Sequence, residues 1–224
     1  MKICLVGNPN CGKSTLFNTL TGLHQKTGNF PGVTVDKKTG TILFQDNYSA
    51  TLIDLPGTYS LYPRRSDEWV AHKVLMNNDV EITADVVLLV VDASNLKRNL
   101  LLFTQIKDLE IPTILVINMA DRMKSKGISL NISHLEEQLK TKIVLVSTRK
   151  GYGIDELKNQ IVDYKSLSTE PCLNASSIDE EYFNKLRKAF PNQLLYKLWL
   201  VITQDVNFLN LERNEIRNSF TKSH

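Results

Sequence analysis

One octapeptide constrains this chain more than any other feature: Gly7-Asn8-Pro9-Asn10-Cys11-Gly12-Lys13-Ser14, followed by Thr15. It fits G-x-x-x-x-G-K-[ST] in full. A run with strand character, Lys2–Val6, precedes it and a helical pattern, Ser14–Leu23, follows, which is the context the motif requires. The spacing has a physical reason. Gly7 and Gly12 let the backbone curl so that several N–H groups point at one phosphate chain. The helix behind them adds the positive end of its dipole. Lys13 is then placed to neutralise β- and γ-phosphates, and the Ser14 hydroxyl to take a Mg2+ position.

The first 165 residues alternate between strand and helix patterns. Such alternation predicts an α/β fold with a doubly wound, mostly parallel sheet. After Lys2–Val6, the strand patterns are Thr39–Phe44, Ser49–Ile53, Val86–Val91, Thr113–Ile117 and Ile143–Val146, giving a six-stranded sheet. Gln45-Asp46-Asn47 has turn chemistry and joins two of these as a hairpin. Helical patterns fall near Asp67–Met76, Leu96–Leu109, Ser133–Leu139 and Ile154–Val162. The polar stretch His24–Lys38 has no clear period and reads as an exposed loop. The expected G domain is therefore 1–165. Residues 166–224 begin with a linker-like segment and continue with helical periodicity alone from Ile178, broken at Pro191. They form a small all-α appendage in which Trp199 stands among leucines as a packing residue.

Composition excludes several classes. A formal charge of +3 spread over 224 residues gives no nucleic-acid footprint. The most concentrated apolar run, Val86–Val91, is far shorter than the roughly 20 residues of a membrane-spanning helix. The N-terminus enters strand pattern at once, so no signal peptide is expected. Cys4, Cys11 and Cys172 lack metal or redox spacing and read as free thiols, with Cys11 a small filler in the loop. His24, His72, His134 and His224 pair with no cysteine or carboxylate at ligand spacing and read as surface residues.

Four further elements follow the octapeptide in order. Asp54-Leu55-Pro56-Gly57, after the third strand, resembles the D-x-x-G element of Ras-like GTPases, with Asp54 holding Mg2+ through water and the Gly57 N–H meeting the γ-phosphate. Asn118-Met119-Ala120-Asp121 resembles the N-K-x-D guanine element. A carboxylate at Asp121 can accept two hydrogen bonds from guanine, from N1–H and the 2-amino group. Adenine offers no such pair, and sites of this kind discriminate by factors of order 10⁴. Met119 replaces the usual Lys, and its thioether can still cover the base face. Ser147 and Thr148, after the sixth strand, are candidates to offer backbone N–H groups to guanine O6, a plain loop being the alternative. Thr34, in Gly32-Val33-Thr34-Val35, is the candidate switch threonine, its hydroxyl on Mg2+ and its N–H on the γ-phosphate. Loss of that phosphate would release the loop.

Taken together, Gly7–Thr15, Gly28–Val35, Asp54–Leu61, Asp92–Leu100 and Asn118–Asp121 resemble ferrous iron transport protein B, over residues 1 to about 163. The resemblance implies a P-loop NTPase of the Ras-like G-domain type, using GTP/GDP and Mg2+. It also implies that the helical appendage, short for the family, links this domain to a membrane permease on the cytoplasmic face of the bacterial inner membrane. A small cytosolic accessory protein and a homo-oligomer are the further partners it brings in, and nucleic acid is not among them. Ras-like proteins place a water-orienting Gln after the D-x-x-G glycine. Here Thr58 and Tyr59 follow, and no cis arginine finger is evident, Arg64 and Arg65 reading as solvated charges. In Gly-x-Pro-Asn-x-Gly-Lys GTPases the equivalent of Asn10 can coordinate K+ beside the phosphates, so the resemblance implies slow, K+-stimulated hydrolysis supported by Asn10, Lys13, Thr34 and Gly57. Two other readings stay open on sequence alone: a ribosome-assembly or tRNA-modification GTPase, which shares the Pro-Asn loop, and a guanine-nucleotide sensor without relevant catalysis.

Overall fold

A computed structural model describes residues 1–22, 25–30, 35–45, 48–63, 67–76, 82–172 and 179–203. The chain divides into two units, Met1–Cys172 and Leu173–His224. In the first, β1 (Lys2–Gly7) leads to α1 (Lys13–Thr21), then β2 (Gln25–Asn29), β3 (Asp36–Leu43) and β4 (Ser49–Asp54). Then come α2 (Glu68–Leu75), β5 (Val86–Asp92), α3 (Leu96–Lys107), β6 (Thr113–Asn118), α4 (Ile132–Leu139), β7 (Lys142–Leu145) and α5 (Ile154–Val162). The sheet has the order β2-β3-β4-β1-β5-β6-β7. β4, β1, β5, β6 and β7 run parallel, and β3 joins antiparallel to β4 and to β2.

The sheet thus has seven strands where the sequence predicts six. The extra strand, β2, and the start of β3 lie in the stretch read as a loop. Lys26 to Asn29 are exposed on an edge, so burial imposes no apolar alternation on them and periodicity cannot detect the strand. Its pairing is regular nonetheless, from Gln25 opposite Gly40 to Asn29 opposite Asp36. The predicted β3–β4 hairpin is present, closed by Phe44 N–H donating to Tyr48 O at 2.9 Å. Its turn residues Asp46 and Asn47, like Arg64 and Arg65, lie outside the described residues.

Alternation along the central strands divides the core between the two sheet faces. Ile3, Leu5, Leu88 and Val116 join Leu16 and Phe17 of α1 and Leu157 and Ile161 of α5 in one cluster. α3 packs against β5 and β6 through its own buried Leu102, Phe103 and Ile106. Burial on both faces is why β5 and β6 read as continuous apolar runs. His72 is a correction to the surface reading: it is 1% exposed, with Nδ1 2.9 Å from Leu61 O. Lys107, fully buried at the end of α3, donates to Lys140 O at 3.0 Å and Ser168 O at 2.5 Å. Burial holds its ammonium pKa below the usual lysine value.

In the second unit, α6 (Glu180–Ala189) and α7 (Leu195–Thr203) flank Pro191, as periodicity predicts. Asp179 caps α6 by accepting from Tyr182 N at 3.0 Å. Trp199 faces Phe183, ring centres 6.2 Å apart, and is still 40% exposed. Residues 204–224 lie outside the described residues.

The loop from β7 to α5 depends on one glycine. Gly153 has φ +77°, and a Cβ there would collide with Leu145 O; Gly151 has φ +67° with open space around it. Gly153→Ala should therefore cost about 3 kcal/mol and Gly151→Ala about 1 kcal/mol. In thermal melts the first variant should lose roughly 6–12 °C and the second a few degrees. Equal shifts would contradict this account of the loop.

Candidate nucleotide-binding site

The carboxyl ends of β1, β4, β6 and β7 converge, the place where open α/β sheets bind ligands. β1 delivers the loop Gly7–Ser14. Asn10 takes φ +65° and Gly12 φ +84°, so the chain curls before α1. Gly7 is fixed by close approach: a Cβ would lie 2.5 Å from Val90 O and 2.9 Å from Cys11 Sγ. At Gly12 a Cβ would strike the Asn118 carboxamide. The N-terminus of α1 has no side-chain cap and no acidic residue in its first turn, and Ser14 and Thr15 there are exposed. Its orphan N–H groups and dipole therefore suit an anion, which is the fit a phosphate chain requires. Cys11 is 1% exposed and burial pushes its thiol up to about 11, so it is a neutral filler at pH 7.

β4 delivers Asp54-Leu55-Pro56-Gly57 beside this loop. Leu55 N–H donates to Leu5 O at 3.1 Å and Thr58 N–H to Gly7 O at 3.2 Å, which seats this segment beside β1 and the start of the loop. Gly57 lies against Pro9, where an added Cβ would be 3.4 Å from the ring. Lys13 forms an ion pair with Asp54 and also donates to Leu55 O at 2.6 Å. The two side chains are only 12% and 8% exposed, so each charge supplies the partner that burial makes obligatory for the other. Thr58 is 1% exposed and its hydroxyl is committed to Ser60 O at 2.6 Å. Gly32, Val33 and Thr34 lie outside the described residues.

β6 ends at Asn118, which is 1% exposed. Its Nδ2 donates to Cys11 O at 3.0 Å, and its Oδ1 accepts from Thr148 N–H at 3.3 Å. Met119 turns the chain with φ +61° into a short 3-10 turn, Ala120–Arg122. Ala120 N–H bonds Val146 O at 3.0 Å, joining this corner to the loop after β7. There Ser147 Oγ donates to Asp121 Oδ1 at 2.7 Å. That bond, helped by Lys150 and Arg122, holds the Asp121 carboxyl below the ordinary Asp value.

The structure brings together the phosphate loop, Asp54–Gly57, Asn118–Asp121 and Ser147–Thr148. The two backbone donors expected at Ser147 and Thr148 are both engaged within the chain, Ser147 N–H with Tyr152 O at 3.0 Å and Thr148 N–H with Asn118 Oδ1. What sequence reasoning missed is the Ser147 hydroxyl, whose partner is set by the loop rather than by any spacing. It also missed Asn99, Gln105 and Ser60 beneath the site. Asn99 falls within the Asp92–Leu100 stretch of family likeness, but no pattern in the sequence distinguishes Gln105.

Because the folded pKa of Asp121 is depressed, its stabilising contribution is present above the unfolded value of about 3.9 and is lost as pH falls through the folded pKa. Ser147→Ala removes the main cause. Carboxyl-carbon NMR should show Asp121 titrating at higher pH in that variant. An unchanged titration would remove Ser147 from the account.

The sequence model of Ferrous iron transport protein B matches residues 1–161. The Fe(2+) transporter FeoB of Leptospira biflexa is 39% identical over 232 residues, covering 98% of this chain and 33% of that protein. A Fe(2+) transport protein A/Fe(2+) transporter FeoB fusion protein from Porphyromonas gingivalis is 36% identical over 198 residues, covering 87% of this chain and 23% of that one. The chain thus spans a third or less of these relatives. Among solved structures, the cytosolic domain of the T. maritima FeoB iron transporter in a GDP form superposes with a TM-score of 0.83 at 32% identity, covering 99% of this chain and 84% of that one. Matches of this extent, over the strands and loops that build the site, make the assignment: this chain belongs to the ferrous iron transport protein B family.

Proposed function

We propose that this chain is the guanine-nucleotide switch of a ferrous iron transporter, binding Mg-GTP and hydrolysing it slowly to GDP and phosphate. The observation that carries the reading is the bridge through Asn118, which ties an uncapped, anion-ready loop to the corner bearing Asp121. The loop Gly7–Ser14, with Thr15, takes the phosphates, and Asp121 reads the guanine edge. Met119 covers the base. Ser147 and Thr148 act as supports for Asp121 and Asn118. With nucleotide bound, Lys13 would pair with phosphate oxygens in place of Asp54, and Asp54, Ser14 and Thr34 would be the residues to hold Mg2+, which would neutralise phosphate charge. Gly57 N–H meets the γ-phosphate.

The domain roles follow from this reading. Residues 1–165 are the GTPase, and 166–224 are the helical link to a membrane permease at the cytoplasmic face of the bacterial inner membrane. Among the described residues no helix is long and apolar enough to cross a membrane. The relative fused to Fe(2+) transport protein A supports a small accessory protein as partner.

Hydrolysis needs charge stabilisation from somewhere. The Thr58 hydroxyl is committed to its own turn, so it does not replace a water-orienting glutamine. Asn10, exposed and held at φ +65°, supports the K+ alternative: the cation would offset charge developing between β- and γ-phosphates. Single-turnover phosphate release with Mg2+ should be slow, and faster in KCl than in NaCl by about tenfold or more. Asn10→Ala should abolish that difference while GDP still binds. Equal rates in the two salts would eliminate the K+ role, and absence of phosphate release in both would eliminate the GTPase.

A further inference from the structure

Two buried carboxamides on α3 do more than fill space. Asn99 is 3% exposed, and its Oδ1 accepts from Nδ2 of Asn8, itself 4% exposed, at 2.5 Å. Gln105 is 8% exposed and accepts through a single atom, Oε1, from Ser60 Oγ at 3.1 Å and from Leu61 N–H at 2.9 Å. Among Leu102, Phe103 and Ile106 a carboxamide is costly unless bonded, and both of these bond segments that lead to the phosphates. Arg98 adds a third contact, with its guanidinium carbon 4.5 Å from the Tyr59 ring centre. Arg98 and Gln105 are seven positions apart, two turns along one stripe, so the segment Tyr59–Leu61 lies along the helix.

We infer that Asn99 and Gln105 are positioning residues with separable effects, Asn99 for nucleotide binding and Gln105 for GTP hydrolysis. Asn99 sets the phosphate loop through Asn8, and Gln105 sets the segment after Gly57. The inference rests on the nucleotide-binding reading above. The phosphate loop meets GDP and GTP alike, so loss of Asn99 weakens both equally. In that reading Gly57 meets only the γ-phosphate, so loss of Gln105, which holds the segment after Gly57, lowers the rate of bound GTP and spares GDP. Because both Gln105 bonds end on one acceptor oxygen, glutamate keeps them and leucine does not.

The test pairs GDP titration with single-turnover GTP hydrolysis on the 224-residue chain. Gln105→Leu should slow hydrolysis about tenfold with GDP affinity held within about twofold, and Gln105→Glu should restore the rate. Asn99→Ala should weaken GDP and GTP alike by about tenfold. Asn8→Ala with Asn99→Ala should weaken GDP less than the product of the single effects, because the second deletion removes the amide that the first orphans. Gln105→Glu as impaired as Gln105→Leu, or multiplicative effects at Asn8 and Asn99, would overturn the inference. Should melts show Asn99→Ala unfolded, the Gln105 pair still decides. A wild-type chain that fails to bind GDP refutes the nucleotide reading itself. Wild-type binding with unresponsive variants refutes only the role of α3.

Discussion

One buried carboxamide holds the site together. Asn118 sits at the end of β6 and bonds in two directions, to Cys11 O in the phosphate loop and to Thr148 N–H in the loop after β7. Asn118 and Cys11 are each 1% exposed, so the bond between them is closed to water. Deleting the side chain would orphan the buried Cys11 carbonyl, at a cost of about 1–3 kcal/mol, and release the half-buried Thr148 N–H. The same group explains why residue 12 is glycine: beyond its φ of +84°, a Cβ there would occupy the space of Asn118 Nδ2. Asn118 therefore joins the loop Gly7–Ser14 to the loop after β7 through one side chain.

Around that bridge the buried charges are paired within the chain. Lys13 and Asp54 satisfy each other in the structure, and both are groups that a Mg-nucleotide would recruit. Desolvated ions are tolerated only with partners, so each of these two side chains fixes the other in place. Asp121 is handled differently. It is partly exposed, and the Ser147 hydroxyl aims it and lowers its pKa. A carboxylate ready to accept two bonds from a purine edge needs both conditions.

Much of this was legible in the sequence because the pieces obey local rules. The octapeptide carries its own geometry in Gly7 and Gly12, and the buried strands β5 and β6 announce themselves as unbroken apolar runs. Helix α5 matches its predicted span of Ile154–Val162 because its buried Ile154, Leu157 and Ile161 repeat at helical spacing. What was hidden depends on contacts between distant positions. β2 is an exposed edge strand with no buried face to pattern it. The sequence alone places His72 at the surface, yet it packs beside Leu61, a neighbour no spacing rule supplies. The supporting roles of Ser147, Asn99 and Gln105 come from partners 26, 91 and 44–45 residues away. Local sequence specifies which segments meet at the site far better than which side chains hold them there.

The central claim is that Asp121 and the Gly7–Ser14 loop grip opposite ends of one guanine nucleotide. Equilibrium titration of the purified chain with a fluorescent GDP analogue in Mg2+, followed by displacement with unlabelled GDP or ADP, tests it most directly. The account predicts saturable binding, displacement by GDP, and ADP weaker by a factor of order 10⁴. ADP displacing the analogue as well as GDP does, or no binding at all, would contradict it.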